Sequence, residues 1–391
     1  MDQQENKLSA FDGTVIKVWA VSLGIVIALS WKLWFPGFAN FPRVPLIGVL
    51  DGSILIALHY VAAIGLVVSL AAIGFGLSNL QRWSGATAFA FGILFLCNQH
   101  CLQPWAWQGF IIAVLLACLP MMESKKWIAR VLISIYLYSA IGKFDYQFVH
   151  SLGQEFLNTV LDWFGSADTV SQQLKSKLVL LFPIGELLIA IGLMIPQTRK
   201  PAAWLAIALH LMLIGILSPL GLGHRWPVVI WNAMSILFVI WLFLNSKETG
   251  RAQGRATLVA QAGMLFAIIV LAGPLLRPVQ LWDHWLAWGL YSPSNSRVEI
   301  SISDTARGRI SEGLLKYLPD EDGSFGSSRF AIDRWSLDEL GVPIYPQARF
   351  QKSAAIEWIR SNELGRHATV IELSSSHPAT GERQETRVDL K

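Results

Sequence analysis

The strongest constraint in this sequence is a series of nine long apolar windows between residues 15 and 276. As α-helices, windows of this length cross roughly 30 Å of hydrocarbon. The chain is 53% hydrophobic and only 15% charged, whereas soluble domains carry about 25% charged residues. We therefore predict an all-α polytopic membrane bundle of about nine transmembrane helices. The windows cover 15–35, 53–76, 85–103, 106–122, 127–143, 178–196, 201–218, 227–245 and 256–276.

The segments that flank the windows predict two further parts of the chain. Residues 1–14 form a short polar tail, 15–276 the transmembrane domain, and 277–391 a small α+β domain of ordinary soluble composition. No small-residue cleavage site follows the first window, so we predict a retained helix and not a signal peptide. The elements predicted in the C-terminal domain are strands at Arg297–Ser303, Ala368–Leu373 and Glu385–Leu390 and a helix at Ser353–Leu364.

The positive charges of the short loops predict the orientation. With the N-terminus in the cytoplasm, nine Lys and Arg residues lie inside and four outside, as the positive-inside rule requires. We expect an integral protein of a bacterial inner (plasma) membrane, with its C-terminal domain extracytoplasmic. The lipid bilayer is then its main partner, because a net charge of +4 is too small and too scattered to indicate nucleic acid.

Lys143 is the most unusual polar residue of the apolar windows, because it places a positive charge at the end of the fifth window. An ammonium group costs roughly 2.5–3.5 kcal/mol at a helix centre and less near the interface. Two interpretations stay open: an anchor that extends to the surface and pairs with Asp145, or a buried amine that works as a general base. The predicted topology brings Asn98, His100 and His284 to the same outer half.

Two deeper polar residues, Glu186 and His210, lie near the middle of the sixth and seventh windows. Pairing between them would lower the cost of burying both, as a structural clamp or as the proton relay of a transporter. Cys97 and Cys101 stand one helical turn apart. They would form a redox pair only if the helix broke between them, so packing is the favoured interpretation. We find no cluster of residues that predicts a metal site.

The run IYLYSAIGKFDYQFV at Ile135–Val149 resembles a motif of the horizontally transferred transmembrane domain family, which includes the vitamin K-dependent gamma-carboxylase. The stretch Asn98–His100 is similar to the family's amide–histidine helix end. His210, on a helix after the acidic Glu186, is similar to its acidic and histidine helices. Gly289–Tyr291 is similar to the point where the family's chain leaves the membrane.

This resemblance implies a catalytic function. Lys143 would be the base that deprotonates a reduced quinone, with His100 as a nearby polar partner and a quinone or quinol as cofactor or lipophilic substrate. The same arrangement also resembles the DoxX/MauE group of small redox-associated membrane proteins. The alternative function is therefore a non-catalytic protein that passes electrons or thiol equivalents to a partner, with Cys97 and Cys101 as the candidate thiols.

Overall fold

The computed structural model describes residues 10–46, 52–245, 257–318 and 327–388. Its first part is a domain of packed apolar helices, which we call the helical domain. In chain order its helices are α1 (Ala10–Leu29), α2 (Trp31–Trp34), α3 (Gly52–Gly74), α4 (Leu80–Cys97), α5 (Pro104–Cys118), α6 (Met121–Ile141), α7 (Tyr146–His150), α8 (Leu152–Asp162), α9 (Gln172–Leu178), α10 (Leu181–Met194), α11 (Arg199–Leu217), α12 (Trp226–Val239) and α13 (Leu258–Ala272).

Six segments of the described chain are long and apolar enough to cross a membrane. They are α1, α3, α9 with α10, α11, α12 with a π-helical turn, and α13 with a following 3-10 turn. A seventh is added if α6 and α7–α8 count as one span with a bend of 71°. These spans support an integral membrane protein, but the predicted number of nine is not confirmed.

The difference lies mainly around α4 and α5. The two windows predicted here, 85–103 and 106–122, correspond to helices that both begin and end earlier. Residues Gln99–Cys101 form a 3-10 turn, and α5 begins at Pro104, where proline is favoured because the first helical N–H has no partner to lose. With 15 residues, α5 is shorter than the roughly 20 that a full span needs.

Hydrogen bonds to Asp12 fix one end of the helical domain. Its carboxylate accepts from Lys125 Nζ at 2.8 Å and from Trp241 Nε1 at 2.7 Å. The start of α1, the start of α6 and the turn after α12 therefore lie together. Lys143 follows the opposite end of α6, two residues after its last residue, Ile141.

The C-terminal domain is a four-stranded antiparallel sheet packed with helices. The sheet order is β2-β1-β3-β4, and the phenyl ring of Phe330 stacks on Trp358 with ring centroids 4.1 Å apart. Its elements are β1 (Arg297–Ser303), α14 (Glu312–Leu315), β2 (Ser327–Phe330), α15 (Ile332–Leu340), α16 (Ala348–Ser361), β3 (Ala368–Leu373) and β4 (Glu385–Val388).

The predicted strands at Arg297–Ser303 and Ala368–Leu373 are confirmed. The last predicted strand is observed as β4, and its final two predicted residues lie outside the described residues. The predicted helix begins five residues earlier, at Ala348. In the first turn of this helix, the side-chain oxygen of Gln351 accepts from the backbone N–H of Val298 in β1 at 2.8 Å. This bond connects the added turn to the sheet.

The C-terminal domain covers the end of the helical domain opposite Asp12, which we call the capped end. Asp283, in the connection between α13 and β1, forms one of the contacts here. Its carboxylate accepts from both terminal nitrogens of Arg349 and from the Tyr345 hydroxyl, which lies at 2.5 Å. Burial and the nearby Asp283 raise the pKa of Tyr345 well above its usual value, so the phenol stays protonated and donates. Salt bridges Lys32–Glu339 and Arg225–Asp338 add further contacts, each at 3.1 Å.

The segment after α6 bends by 71° and forms α7 and α8. A loop of the C-terminal domain holds its start: the backbone N–H of Tyr146 donates to the Pro378 carbonyl at 2.7 Å. The side chain of Gln147 donates to the Gly381 carbonyl at 3.0 Å. The connection between β3 and β4 is thus attached to the short helix that follows Lys143.

We expect Asp283→Ala to loosen the C-terminal domain from the capped end. The substitution leaves Arg349 and Tyr345 without their shared acceptor, at a cost of about 1.5–3 kcal/mol for hydrogen bonds to a charged group. Hydrogen exchange of the β1 and β3 amides should then be faster at neutral pH. Lys352→Ala is the control, because the Lys352–Glu372 bridge is partly exposed and such pairs contribute about 0–1 kcal/mol. Equal exchange in both variants would contradict this role of Asp283.

Candidate functional site

Lys143 forms a buried ion pair with Glu186. The two residues are 3% and 7% exposed, and the ammonium donates to both carboxylate oxygens of Glu186, at 2.7 and 2.8 Å. Its third bond goes to Ser139 Oγ at 2.6 Å. A lysine ammonium has three protons to donate, so its hydrogen bonds are complete without water or lipid headgroups.

The direction of the side chain tests the anchor interpretation of Lys143. Ser139 lies four residues earlier on α6, so the side chain extends back into the helical domain and not outward to the surface. Its partner is Glu186 on α10, while Asp145 instead caps α7 by accepting from the Phe148 N–H at 2.8 Å. The anchor with an Asp145 pair is therefore wrong. Opposite charges in contact reduce the cost that each alone would have in an apolar surrounding.

A second hydrogen-bonded group lies beside this ion pair. Tyr136 is on the same face of α6 as Ser139 and Lys143, because residues three and seven positions apart lie on one side of a helix. Its hydroxyl is 2.7 Å from His210 Nε2 on α11. His210 Nδ1 is 2.8 Å from Asn232 Oδ1 on α12. Four helices thus contribute polar side chains to one place in the helical domain.

Both groups line one cavity of about 50 Å³. A water molecule needs roughly 10–15 Å³ on this scale, so the cavity in this conformation holds a few waters at most. Gln108, Ser235 and a larger number of apolar and aromatic side chains form the rest of its wall. The aromatic members are Phe148, Phe156, Phe182, Trp231 and Tyr291.

The aromatic side chains close the cavity at the capped end. Phe156 on α8 contacts Phe182 on α10 and Tyr291, with ring centroids 6.0 and 5.3 Å apart. Tyr291 has a φ of +55°, a backbone conformation that a bulky residue adopts only when its surroundings hold it there. The bent segment and the chain after α13 therefore form a roof over the Lys143–Glu186 pair.

His100 lies elsewhere, at the contact with the C-terminal domain. Its Nε2 is 3.2 Å from the Pro343 carbonyl and 3.2 Å from Ser336 Oγ, and its ring contacts Phe41 and Phe350. Asn98 accepts from the His100 backbone N–H at 3.1 Å and so caps the 3-10 turn. The structure does not bring His100 to the cavity, because the chain breaks after α4 and this turn points to the covering domain.

His284 does not line the cavity and is linked through Ser292 to the backbone next to Lys143. Its Nε2 is 3.0 Å from the Ser292 carbonyl, and the Ser292 hydroxyl donates to the Gly142 carbonyl at 2.5 Å. Burial, with a smaller contribution from the Arg277 charge, lowers the pKa of His284 to about 3. It is therefore neutral at physiological pH and supports the backbone next to Lys143.

The structure bears on two pairs that the sequence singled out. Glu186 and His210 both line the cavity but do not pair as predicted, because Lys143 takes the carboxylate while His210 bonds Tyr136 and Asn232. The helix does break between Cys97 and Cys101. Both thiols are nevertheless free and buried, and burial raises the pKa of Cys101 well above its usual value. Such thiols are inert, which favours packing.

Sequence reasoning missed Tyr136, Ser139 and the amide of Gln108, which accepts from Trp231 Nε1 at 2.6 Å. For Tyr136 and Ser139 a signal was present, since both share a helix face with Lys143. Gln108 carried no such signal. Among the described residues, no group of three or more His, Cys, Asp or Glu side chains is arranged to hold a metal ion.

No protein-family model matches this chain, and neither do any curated proteins or solved structures. The family resemblance of the Ile135–Val149 run therefore stays a prediction, and the geometry of the cavity carries the functional argument.

We expect the Lys143–Glu186 pair to show strong coupling in a double-mutant cycle. Lys143→Met or Glu186→Leu alone leaves one buried charge unpaired, which costs about 3–5 kcal/mol. The double variant removes both charges and should recover most of that loss. Thermal unfolding in detergent measures the cycle. The Lys126–Glu123 pair, which is 2.7 Å long but more exposed, is the matched control with coupling of about 0.5 kcal/mol or less. Additive losses at Lys143 and Glu186 would contradict the buried pair.

We expect the contact around His100 to weaken in acid. Burial lowers the pKa of His100 from 6.5 to about 4, so protons bind the unfolded chain first as the pH falls. The stability that the neutral ring retains above pH 6.5 is lost between about pH 6.5 and 4. Thermal unfolding over this range measures the slope. His100→Gln should flatten it relative to wild type, and an unchanged slope would show that another group is responsible.

Proposed function

We propose that this integral membrane protein is an enzyme that removes a proton from the hydroxyl of a lipophilic, quinol-like substrate, with Lys143 as the general base. The observation that carries the proposal is the burial of the Lys143 ammonium at a cavity among apolar helices. Ionisable groups at such positions are costly and mark functional sites by default. Because the Lys143–Glu186 pair is net neutral, burying the two charges together costs less free energy than burying either one alone.

An ion-paired lysine becomes a base by proton transfer within the pair. One proton moves from the Lys143 ammonium to Glu186, which leaves a neutral amine and a neutral carboxylic acid. In a water-poor surrounding the charged forms lose hydration, so the neutral pair becomes accessible. The amine then takes the proton of the substrate hydroxyl: an O–H bond breaks, an N–H bond forms, and the resulting anion lies against the restored ammonium.

The wall of the cavity suits an aromatic headgroup. Phe148, Phe156, Phe182 and Tyr291 contribute aromatic rings, and most of the exposed wall is apolar, as in typical small-molecule sites. A volume of about 50 Å³ is too small for a substituted ring. Binding therefore requires the roof side chains to move apart, and the cavity of the free protein is a closed state.

We expect Lys143→Arg to abolish substrate oxidation while the protein stays folded. Arginine can keep the ion pair with Glu186, but its guanidinium does not lose a proton in proteins. The assay follows the loss of a short-tailed alkyl hydroquinone under air in proteoliposomes, above the background of empty liposomes. There the quinolate passes two electrons and its remaining proton to dioxygen, and with one further proton the products are quinone and hydrogen peroxide.

Lys125→Arg is the matched control. Lys125 also forms a salt bridge of 2.8 Å, to Asp12, but at the end of the helical domain far from the capped end. Its variant should retain the wild-type rate. Wild-type activity in Lys143→Arg would contradict Lys143 as the base, and no rate above background in the wild type would contradict the quinol-like substrate.

A further inference from the structure

The Tyr136–His210–Asn232 group is not used by the proton transfer to Lys143, although it lines the same cavity. We infer that Tyr136 is a second binding residue of the cavity, which presents its hydroxyl oxygen as a hydrogen-bond acceptor because His210 and Asn232 fix the direction of its proton. The orientation follows from the structure of the free protein. The identity of the ligand that uses it rests on the proposed function.

The direction of the hydrogen bonds begins at Asn232. Its amide nitrogen donates to the Val228 carbonyl at 2.9 Å, one turn earlier on α12, so its oxygen is the atom that faces His210. An amide oxygen only accepts. His210 Nδ1 therefore carries the ring proton and donates to Asn232 Oδ1 across 2.8 Å.

The tautomer of His210 then decides the role of Tyr136. With the proton on Nδ1, the neutral ring has an unprotonated Nε2 that only accepts. The Tyr136 hydroxyl lies 2.7 Å from this atom and must donate its single proton to it. The lone pairs of the Tyr136 oxygen stay free to accept. Tyr136 is 4% exposed and lines the cavity. The partner of its accepting oxygen is therefore a hydrogen-bond donor on a ligand inside the cavity.

The two polar groups lie at different depths along α6. Tyr136 and Ser139 are three residues apart, which is about 4.5 Å along a helix axis, and Lys143 Nζ lies at the level of Ser139. A ligand that reaches both groups presents one donor to the Lys143–Glu186 pair and a second donor to Tyr136. Two hydroxyl groups on one aromatic ring supply these two donors, whereas a ring with one hydroxyl leaves either Tyr136 or the ion pair without one.

Nuclear magnetic resonance tests the orientation without any ligand. The full chain is labelled with ¹⁵N-histidine and reconstituted in lipid bilayers, and the His210 signals are assigned by their loss in His210→Gln. We expect a neutral ring protonated at Nδ1, with loss of this preference in Asn232→Leu. A ring protonated at Nε2, or at both nitrogens, would make Tyr136 a donor to the cavity and overturn the inference.

Ligand binding tests the second donor. The probes are an alkyl hydroquinone and its two monomethyl ethers, titrated calorimetrically into the protein in detergent micelles. We expect Tyr136→Phe to weaken binding of the diol about tenfold, the loss of one hydrogen bond. One of the two ethers should be insensitive to the substitution, because it lacks the hydroxyl that donates a hydrogen bond to Tyr136. Equal weakening of all three ligands, or none, would overturn the second contact.

Tyr138→Phe is the matched control. Tyr138 is on the same helix, but its hydroxyl donates to the Leu271 carbonyl at 2.9 Å and does not line the cavity. Its substitution should leave all three affinities unchanged. If the diol does not bind the wild type, the substrate class of the proposed function is wrong and the resonance experiment decides the orientation of Tyr136. If the diol binds but Tyr136→Phe has no ligand-specific effect, only the further inference fails.

Discussion

The arrangement of the helical domain depends on the neutralisation of one buried ammonium. Lys143 needs three acceptors within reach of its side chain, and these come from its own helix and from α10. The requirement fixes the rotation of α6 about its axis, since Ser139 must face Glu186. Tyr136 then faces the same way, and α11 and α12 supply the partners of its hydroxyl. One electrostatic demand thus brings four helices to a common polar centre.

The same demand explains why the centre is enclosed. Exclusion of water strengthens the attraction between the Lys143 ammonium and the Glu186 carboxylate, because the effective dielectric constant around the pair is low. The aromatic roof provides this exclusion through Phe156, Phe182 and Tyr291. The roof depends on the bend after α6 and on the left-handed backbone conformation of Tyr291, both at the capped end.

The sequence predicted the class of the fold because apolar length and low charge are local properties. It also predicted β1 and β3, where alternation over a few residues is sufficient. It did not predict which polar residues meet. Glu186 pairs with Lys143 and not with His210, and His100 faces the C-terminal domain. These outcomes depend on helix rotation and on the break after Cys97, which arise from packing between distant segments. Only the Tyr136–Ser139–Lys143 face was readable from spacing alone.

The attachment of α7 to the loop between β3 and β4 has a mechanical consequence. The roof cannot rise from Lys143 as an isolated flap, since Tyr146 and Gln147 are bonded to backbone carbonyls of the C-terminal domain. Displacing α7 either breaks these bonds or tilts the sheet that carries the loop. Access to the cavity is therefore coupled to the position of the C-terminal domain. A force that displaces this domain would also move the helix that covers the cavity.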